Sequence, residues 1–315
     1  MKRERPHKGR HTPAERGKAR DLGETFDAVV VASHGAEHEL LTAAGDRIRC
    51  SARTALPHPP VCGDRVTWRK EESGNGVIVA IHERQSVLRR TSAGGQHKTM
   101  AANLDCICIV TAVEPPPDLG LLDRFLVAAE VTAIPALIVL NKVDLVSTER
   151  LQQLLQGFAS YTAIGYPLIT ASCHSQHGLD DLQEIVRHKR TILAGQSGVG
   201  KSSLANALLP GTDARTGALQ NDGHGSHTTS TARLYPLGEG GLIDSPGIRG
   251  FHLESRDPHQ IAEGFIEFRR HLGECRFRNC RHLDEPGCAI QAAVERGEIA
   301  HRRYAAYREM VERPT

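Results

Sequence analysis

The chain has 315 residues, a formal net charge of +2 and 39% hydrophobic residues, which is globular composition and excludes a wholly disordered protein. At roughly 150 residues per domain the length makes about two domains, with room for a small third. The longest apolar runs, around Cys106–Val113 and Ala133–Leu140, are far shorter than the roughly 20 residues a bilayer span needs, so no membrane association is expected.

The near-neutral charge conceals an asymmetry. Residues 1–20 carry eight Lys and Arg against Glu4 and Glu15, whereas the remainder carries 31 basic against 35 acidic residues. A basic arm on a mildly acidic body is a common arrangement for contacting nucleic acid, although a plain solvated tail has the same composition. The arm lacks an apolar stretch of the kind a secretory signal needs. Of the eight cysteines, Cys275, Cys280 and Cys288 share one short window, which reads as a metal site in a reducing, cytoplasmic compartment. The expected organisation is a basic, disordered arm (1–24), a barrel (25–92), a central domain (93–250) and a metal-binding helical domain (251–315).

After the arm, β-rich segments at Phe26–Ser33, Arg47–Ala52, Arg65–Arg69 and Val77–His82 alternate with Gly, Pro and Asp turns. Short strands at this spacing fit a five-stranded OB-type barrel, although composition does not separate it from other small β-domains. Phe26 and Trp68 are the aromatic residues of the stretch, a thin basis for base stacking. A glycine-bearing, basic loop is expected over Thr91–Asn103.

From residue 104 the pattern becomes α/β. Leu104–Ala112 and Ala136–Leu140 are continuous apolar runs, as buried parallel strands are. Between and after them Leu122, Phe125, Leu126 and Ala129, then Leu151, Leu154, Leu155 and Phe158, repeat at helical spacing. Further strands are expected at Pro167–Thr170, Thr191–Ala194, Ala232–Tyr235 and Gly241–Ile243, giving a doubly wound sheet. The chain beyond about 250 reads as helical and closes with a helical stretch, Cys288–Glu312.

Gly195, Gln196, Ser197, Gly198, Val199, Gly200, Lys201 and Ser202 form a P-loop between a strand and a helix that includes Ser203. Its amides would wrap phosphates, Lys201 would reach the β- and γ-phosphates, and Ser202 would ligate Mg²⁺. Asp244-Ser-Pro-Gly247 follows a strand, so Asp244 can hold Mg²⁺ through a water and the Gly247 amide can meet the γ-phosphate. Asn141, Lys142, Val143 and Asp144 also follow a strand. The Asp144 carboxylate can accept from guanine N1–H and the exocyclic amine, which adenine cannot offer, while the Lys142 stem covers the base. In Thr170-Ala-Ser172 the backbone N–H, assigned to Ala171, would face guanine O6. In the loop Gly225–Ser230, Thr229, or else Thr228, would complete Mg²⁺ coordination when GTP is bound.

The metal window, Cys275-x4-Cys280-x-His282-x5-Cys288, offers the closed tetrahedral donor set of a structural zinc. Arg269, Arg270, Arg276, Arg278 and Arg281 surround it and suit phosphate-backbone contact. The nucleotide motifs occur in the order NKVD, TAS, P-loop, switch threonine and DSPG, a circular permutation of the usual GTPase order. Each still follows a strand, so one closed site can form. With Gly63-Asp-Arg-Val66, Asn103 and Asp105, these runs resemble the ribosome small-subunit-dependent GTPase A (RsgA/YjeQ) family over roughly residues 25–312. The resemblance implies a cytoplasmic GTPase acting in late maturation of the small ribosomal subunit and binding its rRNA, with GTP, Mg²⁺ and one zinc per chain, and a monomer is expected.

Ile248 occupies the position at which many GTPases hold a water-orienting glutamine. His227 is the internal candidate to orient water, with His224 second, and a docked partner is the alternative. Two rivals to the regulatory GTPase stand beside it: a nucleotide-dependent RNA-binding scaffold with negligible hydrolysis, and an ATP-using enzyme, against which Asp144 argues.

Overall fold

The computed structural model of the protein describes residues 24–71, 74–91, 97–209, 232–244 and 257–313. The expected arm, apart from Glu24, lies outside the described residues. So do His224, His227, Thr228, Thr229, Gly247 and Ile248.

Five strands close a barrel: β1 (Thr25–His34), β2 (Glu37–Thr42), β3 (Arg47–Ala52), β4 (Arg65–Lys70) and β5 (Gly76–Ile81). They pair in the order β1-β2-β3-β5-β4, and β4 returns to β1, with β3 and β5 parallel. That is the OB arrangement. Ala28, Val30, Leu40, Val66, Trp68 and Ile78 alternate inward to make its core. Strand β2 was not among the expected strands, because Glu37 and Glu39 dominate its composition. Only the inward His38 and Leu40, 3% and 0% exposed, carry its two-residue period. The loop expected over Thr91–Asn103 is also corrected. Its second half is strand β7 (His97–Ala102), paired antiparallel with β6 (Val87–Thr91), and Ala101 and Ala102 are fully buried.

The nucleotide-type sheet contains β8 (Cys106–Ala112), β9 (Ala136–Asn141), β10 (Leu168–Thr170), β11 (Arg190–Ala194), β12 (Arg233–Leu237) and β13 (Gly240–Asp244). Its order is β10-β9-β8-β11-β13-β12, parallel except for the β12–β13 hairpin. Alternate residues of β8 and β9 enter opposite layers, which explains their unbroken apolar character. Ile107, Ile109, Ile138 and Leu140 meet helix α1 (Leu119–Val131), together with Phe158 and Tyr161 around α3 (Ala159–Ala163). Cys108, Val110, Leu137 and Val139 meet α4 (Leu179–His188) and α5 (Lys201–Leu208). Helix α2 (Thr148–Gln156) is capped by Ser147, whose hydroxyl accepts from Arg150 N–H, and packs only its partly buried leucines.

The sheet and barrel are continuous. Strand β1 pairs with β12 through Ala32 and Arg233, and Arg233 also reaches Glu39 on β2 at 2.9 Å. At the C-terminal end, α6 (Pro258–Glu263), a 3₁₀ segment (Ile266–His271), α7 (Ala289–Glu295) and α8 (His301–Glu312) share a core with Val127 of α1. The single helical stretch expected over Cys288–Glu312 is two helices, parted near Gly297, whose φ of +74° suits a residue without Cβ. Among the described residues no helix is long and apolar enough to cross a membrane.

Candidate functional site

All five parallel strands end at one edge of the sheet, so the segments following β9, β10, β11 and β13 converge there whatever their order along the chain. After β11 the chain turns through Gly195, Gly198 and Gly200, with φ of +138°, +82° and +91°. A Cβ at Gly195 would come 2.1 Å from Val110 O, and one at Gly200 would come 2.5 Å from Asn141 Nδ2. These two glycines are demanded by backbone angle and by space. Helix α5 then starts at Lys201 with no side-chain cap, so its first amides are available to an anion. Lys201 Nζ donates to Gly195 O at 2.8 Å and to Gln196 O, which holds the ammonium over the loop. Ser202 is half-buried, Ser203 and Ser197 are exposed, and Val199 is fully buried beneath the turn.

The Asn141–Asp144 motif is fastened directly to this loop. Asn141 ends β9, is 2% exposed, and donates from Nδ2 to Val199 O at 2.9 Å. Lys142 adopts a φ of +61° and sends Nζ to Gly198 O (2.6 Å) and Glu114 O (2.8 Å). Val143 is buried and anchors the 3₁₀ turn Val143–Leu145, while Asp144 is exposed. Asp144 Oδ1 accepts from Ser172 Oγ at 2.5 Å. Ser172 Oγ itself accepts from the amides of His174 and Ser175, both at 3.1 Å. Ser172 is thus the residue that holds the aspartate, a role its position in TAS did not announce.

Ala171 requires a correction. It is fully buried, and its N–H is committed to Leu140 O at 2.8 Å as the parallel ladder runs on past β10. Ser172 N–H goes to His177 O at 3.0 Å. Cys173, next in the turn and half-buried, has an amide with no acceptor among the described residues, as do Gln176 and His177 further along. Burial, then the Asp144 charge, raises its thiol above the usual cysteine range.

Asp244 closes β13 beside β11, on the same edge as Ser202. Thr229, His227 and Gly247 are outside the described residues, so their expected places around the phosphates rest on the sequence.

A junction below the P-loop strand was not foreseen. Arg190 opens β11 and donates from its guanidinium to Gly63 O (3.3 Å) and Asn103 O (3.4 Å), while its amide donates to Asp105 Oδ2 (2.9 Å). Asn103 spans the gap with Nδ2 to Gly63 O at 3.0 Å. Asp64 is fully buried and held bidentately by Arg84 at 2.7 and 2.8 Å. The barrel turn and the strand carrying the P-loop are therefore one hydrogen-bonded unit.

The four residues of the metal window come together. The ligand atoms of Cys275, Cys280, His282 and Cys288 all lie within 4.8 Å of one another. His282 Nδ1 stands 3.5 Å from Cys275 Sγ and 3.6 Å from Cys288 Sγ. Three thiols and one imidazole at this separation fit a tetrahedral metal, and His282 at a φ of +60° tolerates strain to join them. Outer hydrogen bonds hold the ligand loop: Tyr304 donates to His282 O (2.8 Å) and Tyr307 to Arg281 O (2.6 Å). Burial pushes the Cys280 thiol up to about 12, so a bound cation is what would stabilise the thiolate there. Burial also lowers the His282 pKa, favouring the neutral, ligating imidazole.

The last element of the site connects the two ends. Arg303 on α8 is 1% exposed and bonds Glu267 (2.7 and 3.1 Å) and Asp123 of α1 (2.6 Å). Asp123 also accepts from Arg302 and from Tyr161. The sequence offered only an Arg- and Glu-rich helix here.

Residues 81–254 match the family model described as RsgA GTPase. A relative from Hahella chejuensis named small ribosomal subunit biogenesis GTPase RsgA is 50% identical over 84% of this chain and 76% of its own length. One of the same name from Sodalis glossinidius is 44% identical over 96% of this chain and 90% of its own. Among solved structures, YjeQ from Thermotoga maritima superposes with a TM-score of 0.76 at 31% identity, covering 92% of this chain and 98% of that one. YloQ, described as a circularly permuted GTPase, gives 0.75 at 26% identity over 94% of this chain and 97% of its own. A motif order that starts with the base-reading turn, a P-loop held to that turn by Asn141 and Lys142, and these matches carry one conclusion: the chain belongs to the RsgA GTPase family.

Proposed function

We propose that the protein is a GTP hydrolase of small-ribosomal-subunit maturation, whose nucleotide state governs docking on and release from that subunit. The observation that carries the nucleotide half is the pair of contacts from Asn141 to Val199 O and from Lys142 to Gly198 O, which bind the guanine motif to the phosphate loop. The curated relatives' shared name carries the other half.

In this reading Asp144 accepts from guanine, held by Ser172, and the Cys173 amide takes the role expected of Ala171. The amides from Gly195 to Ser203 surround the phosphates, and Lys201 leaves its loop carbonyls for the β- and γ-phosphate oxygens. Ser202, Thr229 and, through a water, Asp244 would hold Mg²⁺, which neutralises charge developing on the transferred phosphoryl group. The Gly247 amide would meet the γ-phosphate. With Ile248 unable to hold water, His227 or the docked subunit orients the nucleophile. Cys275, Cys280, His282 and Cys288 would hold one zinc as a cross-link of the C-terminal region. Barrel, zinc region and basic arm would face the rRNA, and the chain would work as a cytoplasmic monomer.

Steady-state phosphate release with and without purified small subunits tests this. The isolated protein is expected to turn over slowly and to accelerate on subunit addition, less so at high salt. His227→Ala should reduce the stimulated rate and leave GTP binding near wild type. A wild-type rate indifferent to small subunits would overturn the ribosome-coupled reading. Full stimulation of His227→Ala would remove that histidine from the water.

A further inference from the structure

Phe277 lies in the chain between two of the expected metal ligands, Cys275 and Cys280, and is 42% exposed. Both ends of its loop are pinned. Cys280 N–H donates to Phe277 O at 3.2 Å, Arg276 N–H to Gly287 O at 3.0 Å, and Ala289 N–H to Cys275 Sγ at 3.3 Å. The Arg276 stem runs against Gly287, where a Cβ would approach Arg276 Cβ to 3.0 Å, and its guanidinium carbon sits 5.4 Å from the Phe277 ring centroid. The ring is therefore presented on a braced turn with the Arg276 guanidinium over one of its faces, which leaves the opposite face for a ligand.

The surrounding charge shows what this face awaits. Elsewhere in this region arginines find carboxylates: Arg269 with Glu130 at 2.6 Å, Arg296 with Glu298 at 2.7 Å, Arg308 with Asp284 at 3.3 Å. Arg276, Arg278 and Arg281 are exposed, and none has an ion-pair partner among the described residues. Unpaired guanidiniums favour an anion, and an exposed aromatic ring favours a π-face. Every nucleotide of a single-stranded nucleic acid offers both.

We propose that Phe277 is a stacking platform for an unpaired RNA base, with Arg276, Arg278 and Arg281 taking the flanking phosphates. This rests on the reading of the protein as a small-subunit factor and names the RNA feature that its metal-bound loop engages: an unstacked base in a loop, bulge or single strand, rather than a helix backbone.

The test uses the full, zinc-loaded chain and a short single-stranded RNA carrying one 2-aminopurine. Phe277→Ala and Phe277→Leu are expected to weaken binding about tenfold, within the range that removal of one stacking ring produces, and Phe277→Trp to retain it. Quenching of 2-aminopurine should accompany binding of wild type and Phe277→Trp only. Zinc content and basal GTP turnover should be unchanged in all three, which separates stacking from loss of the loop. Wild-type affinity in Phe277→Leu, or quenching that persists without the ring, would overturn the proposal. So would displacement of the RNA by polyglutamate as readily as by unlabelled RNA, which would mark an acidic protein as the occupant. Co-sedimentation with small subunits keeps the two readings apart. Failure of wild type to sediment with them refutes the proposed function, whereas equal sedimentation of wild type and Phe277→Leu, without quenching, refutes the stacking role alone.

Discussion

Replacing Asp144 with asparagine should turn the base preference from guanine to xanthine, and Ser172 sets how completely. The two acceptor positions of the Ser172 hydroxyl are filled by the amides of His174 and Ser175, both at 3.1 Å, so its proton must go to residue 144. In Asp144→Asn the amide oxygen is then forced toward Ser172 and the NH₂ toward the base. A donor would face the N1–H and exocyclic amine of guanine, while xanthine presents a carbonyl in the amine's place. Losing a hydrogen bond to a charged acceptor costs about 1.5–3 kcal/mol, and an opposed donor pair adds the desolvation of an unpaired group, about 1–3 kcal/mol. The sum, about 2.5–6 kcal/mol, weakens GTP binding about 10²- to 10⁴-fold at 1.4 kcal/mol per tenfold. Competitive titration of a fluorescent guanine nucleotide with GTP and with xanthosine triphosphate would measure both sides of the switch. Adding Ser172→Ala frees the amide to flip and should return part of the guanine affinity. Unchanged GTP affinity in Asp144→Asn, or a double variant no different from the single, would refute the reasoning.

Elemental analysis should find about one zinc per chain, and Cys280→Ser should lower it and loosen α7 and the preceding ligand loop, read as faster hydrogen exchange there; full occupancy in that variant would remove Cys280 from the ligand set. Arg303→Met strips the cation from two buried carboxylates, Asp123 and Glu267, and should cost about 3–5 kcal/mol in urea unfolding; a loss below about 1 kcal/mol would mean the network is replaceable by packing. Gly195→Ala places a Cβ 2.1 Å from Val110 O at a φ of +138°, and the strain of about 1–3 kcal/mol plus the clash should abolish tight GTP binding in the same titration, whereas Ala at Gly198, with Pro115 Cδ no nearer than 3.8 Å, should be milder.

The contacts that were legible in the sequence are those made within a few residues. The P-loop, the NKVD turn and the Cys3His window each declare themselves because backbone angle and donor spacing are local properties. Strand β2 escaped because Glu37 and Glu39 project outward and leave just His38 and Leu40 to mark a period. Strand β7 escaped because its partner β6 lies across residues with loop composition. That the Ala171 N–H is already committed was hidden for a related reason: where a parallel ladder stops is decided by the neighbouring strand, here by Leu140 O. Arg190, Asp123 and Arg303 carry no pattern at all. Their partners are 87, 180 and 36 residues distant in the chain, and an arginine destined for burial is spelled the same way as one destined for solvent.

The seam between β1 and β12 is the narrowest point of an eleven-stranded ribbon that starts beside the Asn141–Asp144 turn and ends in the barrel. One residue pair, Ala32 and Arg233, completes it, with Arg233 to Glu39 as an outer clasp. Every other boundary in the ribbon is stitched by at least three pairs. Torque applied to the barrel by whatever it grips will therefore concentrate at this seam before it deforms either body. Strand β12 is also the hairpin partner of the strand that ends in Asp244. A barrel that swings must peel from, or drag, the edge of the same sheet on which the phosphate groups would rest, so grip and nucleotide become two loads on one beam.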